Sequence, residues 1–272
     1  MNTTNVVPMP RGCTVLQVFT RGASGGNRLG VVNDLSGLDD ASMQEIATGL
    51  GYSETAFVDW PSGGIPFVRI FTPAEELPFA GHPLVGAAWC LAVLGPGDID
   101  RIGFRGGTAR VRNSQDMTWI DLEMFGNVVA TGDVSEFVSR AGLTDVESVD
   151  RVMLPLEYVI VRLDSFAEVA SLCPDFNVLS ERFGTYVYAR NGDRVRARFF
   201  APATAVPEDP ATGSAAIALA TVLSSCGETT GRVHIEQGEE IGYPSRIELE
   251  WGEGRVAIGG TVIREEVRML ES

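Results

Sequence analysis

Lysine is absent from this sequence, and all 21 basic side chains among its 272 residues are arginine. Because a Schiff base forms on a lysine amine, the absence excludes Schiff-base catalysis and lysine-anchored pyridoxal phosphate. It also excludes a phosphate-binding loop of the kind that ends in lysine. Several large classes of cofactor chemistry are therefore removed before any motif is considered.

Histidine and cysteine are also scarce, with two and four copies. No two cysteines form a CxxC pair, and neither histidine lies at metal-ligand spacing from a cysteine, so we expect no metal site and free thiols. The apolar runs are too short to span a bilayer, and the first residues lack a basic-then-apolar block. We therefore expect a cytoplasmic protein without a membrane segment.

The net charge is strongly negative, at -15, while 44% hydrophobic residues are typical of a globular protein. A surface this acidic repels phosphate backbones and anionic membranes, so we expect neither nucleic acid nor membrane as a partner. An anionic substrate would need local positive potential, from arginine or from backbone N–H groups.

An internal repeat relates VRIFTPAEELP at 68–78 to ARFFAPATAVP at 197–207, with five identities at an offset of 129 residues. Each copy is followed by a polar turn and then an apolar segment, at 84–95 and at 215–227. Both segments are apolar on nearly all faces, which is typical of a helix buried on every side. The sequence therefore predicts the same structural plan twice.

Segments rich in β-branched and aromatic residues surround both helices and predict strands, among them one long strand over 152–163 and two short ones at 256–258 and 261–264. The fold class that fits is α+β, with two pseudo-symmetric lobes, each a mostly antiparallel, barrel-like sheet wrapped around a central apolar helix. We place the first lobe at 1–126 and the second at 127–261.

Three clusters could carry chemistry. Glu54 stands at the start of an apolar strand, where a glutamate is more often only solvated. His82 lies in the first turn of a buried helix, whose dipole favours the neutral imidazole that can exchange a proton near pH 7. The segment 208–214 (EDPATGS) places two carboxylates beside Ser214, a suitable N-cap, where backbone N–H groups form an anion site. Together these groups favour general acid–base proton transfer, although a structural histidine and a capped loop are the ordinary alternatives.

The clusters resemble, in order and spacing, motifs of the PhzF-like family of phenazine biosynthesis, in the superfamily of diaminopimelate epimerase and proline racemase. The motifs are VFT…GGNRLGVV (18–32), SETAFV (53–58), RIFTPAEELPFAGHP (69–83), EDPATGSAA (208–216), IEQGEEIGYPS (235–245) and IGG (258–260). The resemblance covers most of the chain. It implies a diaminopimelate epimerase-like fold with the site in the cleft, a homodimer and no cofactor, and the return of 262–272 to the first lobe.

The resemblance also implies roles for individual residues. Glu54 would shuttle the proton. The residues that would assist are His82, Asp209 and Ser214, and those that would line the substrate pocket are Asn27, Ser53, Gly81 and Gly213. The sequence departs from the family pattern at Arg28, where we expect proline, at Leu84, where we expect a small polar residue, and at Tyr243, where we expect arginine.

The function that these observations predict is a cofactor-independent isomerase that moves a proton in a small carboxylate substrate. One alternative is a two-thiol racemase or epimerase on the same fold, which needs a cysteine at the start of each central helix. Those positions hold His82 and Ser214, whereas Cys90 and Cys226 lie farther along the helices. The other alternative is a non-catalytic binding protein that keeps the cleft.

Overall fold

Residues 12–60, 64–95, 99–114, 116–123, 126–129, 134–204 and 206–270 are described by the computed structural model. Within that part the chain forms 17 strands, six α-helices and one short 3-10 helix at Pro202–Thr204. The strands are β1 Gly12–Thr20, β2 Asn27–Val32, β3 Glu54–Asp59, β4 Phe67–Phe71, β5 Glu76–Leu77, β6 Arg101–Phe104, β7 Gly107–Ser114, β8 Met117–Glu123, β9 Asn127–Val129, β10 Val146–Met153, β11 Glu157–Leu163, β12 Gly184–Asn191, β13 Arg194–Ala201, β14 Val206–Asp209, β15 Gly231–Gln237, β16 Ser245–Gly252 and β17 Arg255–Met269. The helices are α1 Asp40–Leu50, α2 Gly81–Leu94, α3 Val134–Arg140, α4 Phe166–Ser171, α5 Phe176–Leu179 and α6 Gly213–Ser225.

A closed ring of strands surrounds α2. Pairing runs from β1 through β2, β3, β4, β6, β7, β8 and β17 and returns to β1. The β2–β3 and β4–β6 junctions are parallel and the others are antiparallel. Because successive side chains of a strand point to opposite faces, each strand can direct one row of apolar residues at the helix. The predicted burial of this apolar helix is confirmed for its first eleven residues except Trp89.

A second sheet with the same plan surrounds α6. It runs β9, β10, β11, β12, β13, β15, β16 and β17, and its parallel junctions are β11–β12 and β13–β15. Eleven consecutive residues of α6, Gly213–Leu223, are buried. The mostly antiparallel, barrel-like architecture around apolar helices is therefore as expected from the sequence.

The last strand joins the two sheets. Its first part pairs with β8 on one edge and β16 on the other, and from Thr261 to Met269 it pairs with β1. The C-terminal segment thus completes the ring around α2. The division at residue 126 stays a prediction.

Two strand predictions were wrong. The segment 152–163 is a hairpin rather than one strand, because Pro155, which has no N–H for a ladder, lies at its turn. The two short strands near the C-terminus are one strand, which Gly259 and Gly260 do not interrupt. An added Cβ would lie 2.2 Å from the Trp119 ring at Gly259 and 2.6 Å from the Phe19 ring at Gly260, so these glycines admit aromatic packing.

Short helices cover the outer faces of the sheets. Helix α1 is capped by Asp39, whose side chain accepts a hydrogen bond from the Ser42 N–H, and it buries Met43 and Ala47 against the first sheet. Helices α3, α4 and α5 cover the second sheet. Among the described helices, none combines the length and apolarity that a bilayer crossing requires.

The two central helices meet at their N-terminal glycines. A Cβ added to Gly81 would lie 2.7 Å from the Gly213 Cα, and one added to Gly213 would lie 3.0 Å from the Gly81 Cα. Both would also meet the Ile258 side chain within 2.8 Å. Because backbone cannot yield as a flexible side chain can, only glycine permits this approach.

We predict that Gly213→Ala destabilises the protein by about 1–3 kcal/mol, the usual cost of overpacking a buried site. The matched control is Gly49→Ala on α1, where an added Cβ meets nothing within 4 Å. That change should stabilise the helix, by up to about 1 kcal/mol. Denaturant unfolding of both variants measures the effect, and equal stability of the two would contradict the close contact.

Candidate active site

The contact between α2 and α6 gathers the candidate acid–base residues. Glu54 begins β3, His82 is the second residue of α2, Asp209 ends β14 and Ser214 is the second residue of α6. Asn27, at the start of β2, connects the two halves because its side chain hydrogen-bonds Asp209, 182 residues away. The fold therefore brings together groups that lie far apart in the sequence.

Glu54 and His82 face each other across 3.5 Å, measured from Oε2 to Nε2. Both atoms are buried, and neither has a hydrogen-bond partner in the protein. A buried polar atom without a partner carries a free-energy cost, so such a pair is typical of a site that completes its hydrogen bonds with a ligand.

The Asn27 amide is held in one orientation. Its Oδ1 accepts a hydrogen bond from Ser53 Oγ at 3.1 Å, so its Nδ2 faces the other way. There it donates to Asp209 Oδ1 at 2.8 Å and to the Ala211 carbonyl at 3.2 Å. The same Nδ2 lies 3.3 Å from His82 Nδ1. A single buried amide thus positions the residues on both sides of the cleft.

A second set of hydrogen bonds holds Asp209 from the opposite side. Thr212 Oγ1 donates to its Oδ2 at 2.5 Å, and Gln237 Nε2 donates to its backbone carbonyl at 2.7 Å. Gln237 Nε2 also donates a hydrogen bond to Thr212 Oγ1, at 3.0 Å. Neither Thr212 nor Gln237 was predicted as a site residue from the sequence. Thr212 lies in the EDPATGS segment and could have been found there, whereas nothing local distinguishes Gln237.

Burial sets the protonation states. It lowers the pKa of His82 to about 3, against a smaller opposing effect from a hydrogen bond with the Arg28 backbone. It raises the pKa of Glu54 to about 8, helped by the nearby negative charge of Asp209. Burial also raises the pKa of Asp209 to about 6, although hydrogen bonds from Thr212 and Asn27 oppose the rise.

At neutral pH these shifts give a neutral imidazole, a protonated Glu54 and an ionised Asp209. The contact between His82 and Glu54 is therefore one between two neutral groups rather than an ion pair. The neutral histidine agrees with the expectation from the sequence, but burial rather than the helix dipole is its main cause.

A small cavity of about 190 Å³ opens beside these groups. Its polar end is formed by Ser53, Glu54, Asp209, Thr212 and Ser214. Its walls are largely apolar and include Leu77, Phe79, Leu156, Tyr158, Phe183 and Phe199. His82 and Asn27 are not lining residues, so they act on this cavity through Glu54, Ser53 and Asp209.

Tyr158 is a further residue that the sequence analysis missed. It lies on β11, is 3% exposed, and shares a hydrogen bond with the Ser214 side chain. Burial raises the pKa of its phenol. Tyr158 pairs with Gly184 on β12. The equivalent strand pair in the first half places Leu29 opposite Glu54, so Gly184 corresponds to Glu54. The two halves therefore present different groups at equivalent positions of the site.

Four of the predicted site residues line the cavity directly: Ser53, Glu54, Asp209 and Ser214. The expectation that Ser214 caps its helix was wrong. The residue before α6 is Thr212, and its side chain makes no cap because it binds Asp209. Gly81 and Gly213 do not line the cavity, and their small size serves the contact between the helices.

Two of the three departures from the family pattern lie at an adjoining cavity of about 350 Å³, which shares Ser53 and Asp209 with the first. Arg28 lines this cavity and pairs with Glu265, while Tyr243 lines it and is 48% exposed. Leu84 is instead fully buried in α2. The first two positions can therefore affect what enters the site, and Leu84 belongs to the core.

Among the described residues, no group of three or more His, Cys, Asp or Glu side chains is arranged to hold a metal ion.

A model of the phenazine biosynthesis-like protein family, PhzC–PhzF, matches residues 16–266. The chain belongs to this family. The trans-2,3-dihydro-3-hydroxyanthranilate isomerase of Pseudomonas fluorescens is 36% identical to it over 249 residues, which is 85% of this chain and 87% of the relative. An uncharacterized isomerase of Pasteurella multocida is 30% identical over 265 residues, or 93% and 92% of the two chains. Like these relatives, this PhzF-family chain is an isomerase.

Solved structures show the same fold. A protein named as a predicted epimerase, from Pseudomonas aeruginosa, superposes on this PhzF-family chain with a TM-score of 0.78 and 27% identity, over 97% of this chain and all of the other. A probable proline racemase from Agrobacterium radiobacter gives 0.63 with 10% identity, over 96% and 93%. The epimerase-like fold expected from the sequence is therefore confirmed.

The raised pKa of Glu54 predicts how stability depends on pH. Between about pH 4.5 and 8 the unfolded chain loses this proton while the folded chain keeps it, so the free energy of unfolding falls as the pH rises. Glu54→Gln removes that dependence. The variant should therefore gain stability relative to the wild type at pH 8, and gain little or none at pH 4.

Denaturant unfolding at both pH values tests this prediction, with Glu75→Gln as the control because Glu75 is an exposed carboxylate on the same cavity. Asp209, whose pKa is also raised, keeps a smaller dependence between about pH 4 and 6 in the variant. A stability difference between wild type and Glu54→Gln that is the same at both pH values would contradict the assignment.

Proposed function

We propose that this isomerase needs no cofactor and that Glu54 moves a proton between carbon atoms of a small carboxylate substrate. The observation that carries the proposal is the unpartnered pair of Glu54 Oε2 and His82 Nε2, which lie 3.5 Å apart. Glu54 lines the polar end of a small cavity, and His82 lies behind it. The protonated Glu54 donates its proton to one carbon, and the carboxylate that results takes a proton from another carbon of the same molecule. The reaction is therefore balanced without an oxidant or reductant.

The pKa of Glu54 suits this role. A group whose pKa lies near the operating pH exchanges protons most effectively, because both of its protonation states are accessible. Burial and the charge of Asp209 bring the pKa of Glu54 to about 8. Because His82 beside it is neutral, a hydrogen bond between the two side chains adds no further charge to the site.

The helix N-termini can stabilise negative charge on the substrate. Neither helix has a side-chain cap, since Ala80 offers none and the Thr212 side chain is bound to Asp209. Backbone N–H groups of the first turns therefore lack side-chain partners, at the positive ends of the helix dipoles. No described arginine lines the cavity, so a substrate carboxylate would be bound by N–H groups at the start of α6, where Ser214 lines the cavity, and by the hydroxyls of Ser53 and Ser214.

The cavity limits the substrate to a small molecule with one apolar face. A volume of about 190 Å³ and walls of leucine, phenylalanine and tyrosine suit a compact unsaturated acid. The relative from Pseudomonas fluorescens is named for trans-2,3-dihydro-3-hydroxyanthranilate. We propose an acid of this kind as the first substrate to test.

The positions of the thiols argue against the two-thiol alternative. Cys13 and Cys90 are buried, and burial raises the pKa of each to about 11, which disfavours the reactive thiolate. Cys226 follows the C-terminal end of α6, away from the first turn of that helix. None of the four cysteines lines the cavity. The isomerase relatives argue against the other alternative, a non-catalytic binding protein.

We predict that Glu54→Gln lowers the rate of proton transfer by about 10²–10⁴-fold while the ligand still binds, because the amide keeps the size and loses the exchangeable proton. The measurement is uptake of solvent deuterium by trans-2,3-dihydro-3-hydroxyanthranilate, followed by NMR. Glu75→Gln should retain activity. Deuterium uptake by Glu54→Gln at the wild-type rate would end the assignment, and no uptake by the wild type with any compact unsaturated acid would contradict the proposed substrate class.

We predict that dialysis against EDTA leaves the activity unchanged, and that Cys90→Ser keeps it as well. The first result is expected because the reaction uses the protein's own acid–base groups, and the second because the buried Cys90 does not line the cavity. Activity that returned only with a divalent ion would refute the first claim. Loss of turnover in a folded Cys90→Ser protein would restore the two-thiol mechanism.

The expected homodimer stays a prediction, which sedimentation can test.

A further inference from the structure

Nearly all arginines of this acidic protein are neutralised by a carboxylate. Of the 21 arginines, all but Arg11 lie in the described part of the chain. Sixteen of these 20 have an aspartate or glutamate oxygen within 4 Å. The four described arginines without such a partner are Arg101, Arg110, Arg255 and Arg264.

Three of these four arginines line the same cavity. Arg101 on β6, Arg110 on β7 and Arg255 at the start of β17 surround a pocket of about 580 Å³. No other arginine of the described chain lines this pocket. Only four of the 20 described arginines lack a carboxylate partner, so chance alone would rarely place three of them in one pocket. The pocket therefore concentrates uncompensated positive charge in a chain with a net charge of -15.

The strand register indicates that this group of arginines does not stabilise the fold. Arg101 and Arg110 are directly opposite each other on antiparallel strands, where like charges are destabilising. The other cross-strand neighbour of Arg110 is Asp121, but that carboxylate binds Arg112, at 2.8 and 2.9 Å from its Nε. Arg255 is opposite Glu123, the one other acidic residue that lines the pocket, and forms no ion pair with it.

We propose that this pocket binds a small polyanion, a phosphoryl compound or a polycarboxylate, held by Arg101, Arg110 and Arg255. Guanidinium groups bind phosphate and carboxylate through paired N–H donors, and a pocket of this volume is within the range of small-molecule sites. The site is separate from the acid–base centre, because Glu54 and Asp209 do not line it. The two cavities share Phe79, so the polyanion would lie behind one wall of the active-site cavity.

Isothermal titration of the full chain with pyrophosphate, and separately with citrate, tests the proposal at constant ionic strength. We expect saturable 1:1 binding of at least one probe, and the tighter of the two identifies the phosphoryl or the carboxylate class. Arg110→Gln and Arg101→Gln should each weaken binding at least tenfold. The matched control is Arg264→Gln, an unpaired arginine outside the pocket, which should bind as the wild type does. Glu54→Gln should also bind normally, which separates this site from the active site.

Thermal unfolding provides a second, independent measurement. Without ligand, Arg110→Gln should unfold at the same temperature as the wild type or higher, because a like-charge contact has been removed. With pyrophosphate or citrate the unfolding temperature of the wild type should rise and that of the variant should not.

The proposal is overturned if neither probe binds saturably, or if Arg110→Gln and Arg264→Gln weaken binding equally, since that pattern indicates general surface charge. A lower unfolding temperature of ligand-free Arg110→Gln would also overturn it, by giving the arginine a structural role. Self-association of the wild type that Arg110→Gln abolishes, without binding of either probe, would show that a second copy of the chain covers the pocket.

Discussion

The contact between Gly81 and Gly213 sets the geometry on which the site depends. Two apolar helices, each surrounded by its own sheet, approach so closely at their N-termini that neither position has room for a Cβ. The residues just beyond the two glycines, His82 and Ser214, are therefore held on either side of one cleft. Glu54 reaches the same point from the start of a neighbouring strand. Because helix starts and strand ends are fixed by the core, the acid–base groups are placed by rigid elements rather than by loops.

Burial gives these groups their chemistry, and it also makes them costly to fold. Glu54 and Asp209 are two carboxylates in one low-polarity cleft, and each has a raised pKa for that reason. Asn27 and Thr212 donate hydrogen bonds to the Asp209 carboxylate, which favours its charged form. Only the neighbouring Ser53 offers Glu54 similar help. Because Asp209 receives more hydrogen bonds than Glu54, the two pKa values differ. Glu54 therefore holds a proton at neutral pH and Asp209 does not.

The internal repeat duplicates the scaffold and not the chemistry. In both halves the repeated arginine binds a glutamate through two hydrogen bonds and lies over a phenylalanine ring, Arg69 with Glu76 and Arg198 with Glu208. Glu208, which the sequence offered as a second carboxylate of the site, is committed to this buried pair. The acid–base chemistry arises where the halves differ. The strand position that Glu54 occupies in the first half is occupied by Gly184 in the second. A carboxylate there would have no room, because even a Cβ would lie 2.4 Å from the Phe199 ring.

The sequence by itself determined the two buried helices, most of the strands, the family and four lining residues, because these follow from apolar patterning and from motifs of consecutive residues. It misjudged the hairpin at Pro155 and the cap at Ser214, where the outcome depends on a turn and on a competing hydrogen bond. It gave no indication of Tyr158 or Gln237, which reach the site from strands far away in the chain. Only the tertiary structure decided the protonation states and the unpaired arginines, since burial and cross-strand register are properties of the packed chain and of no local segment.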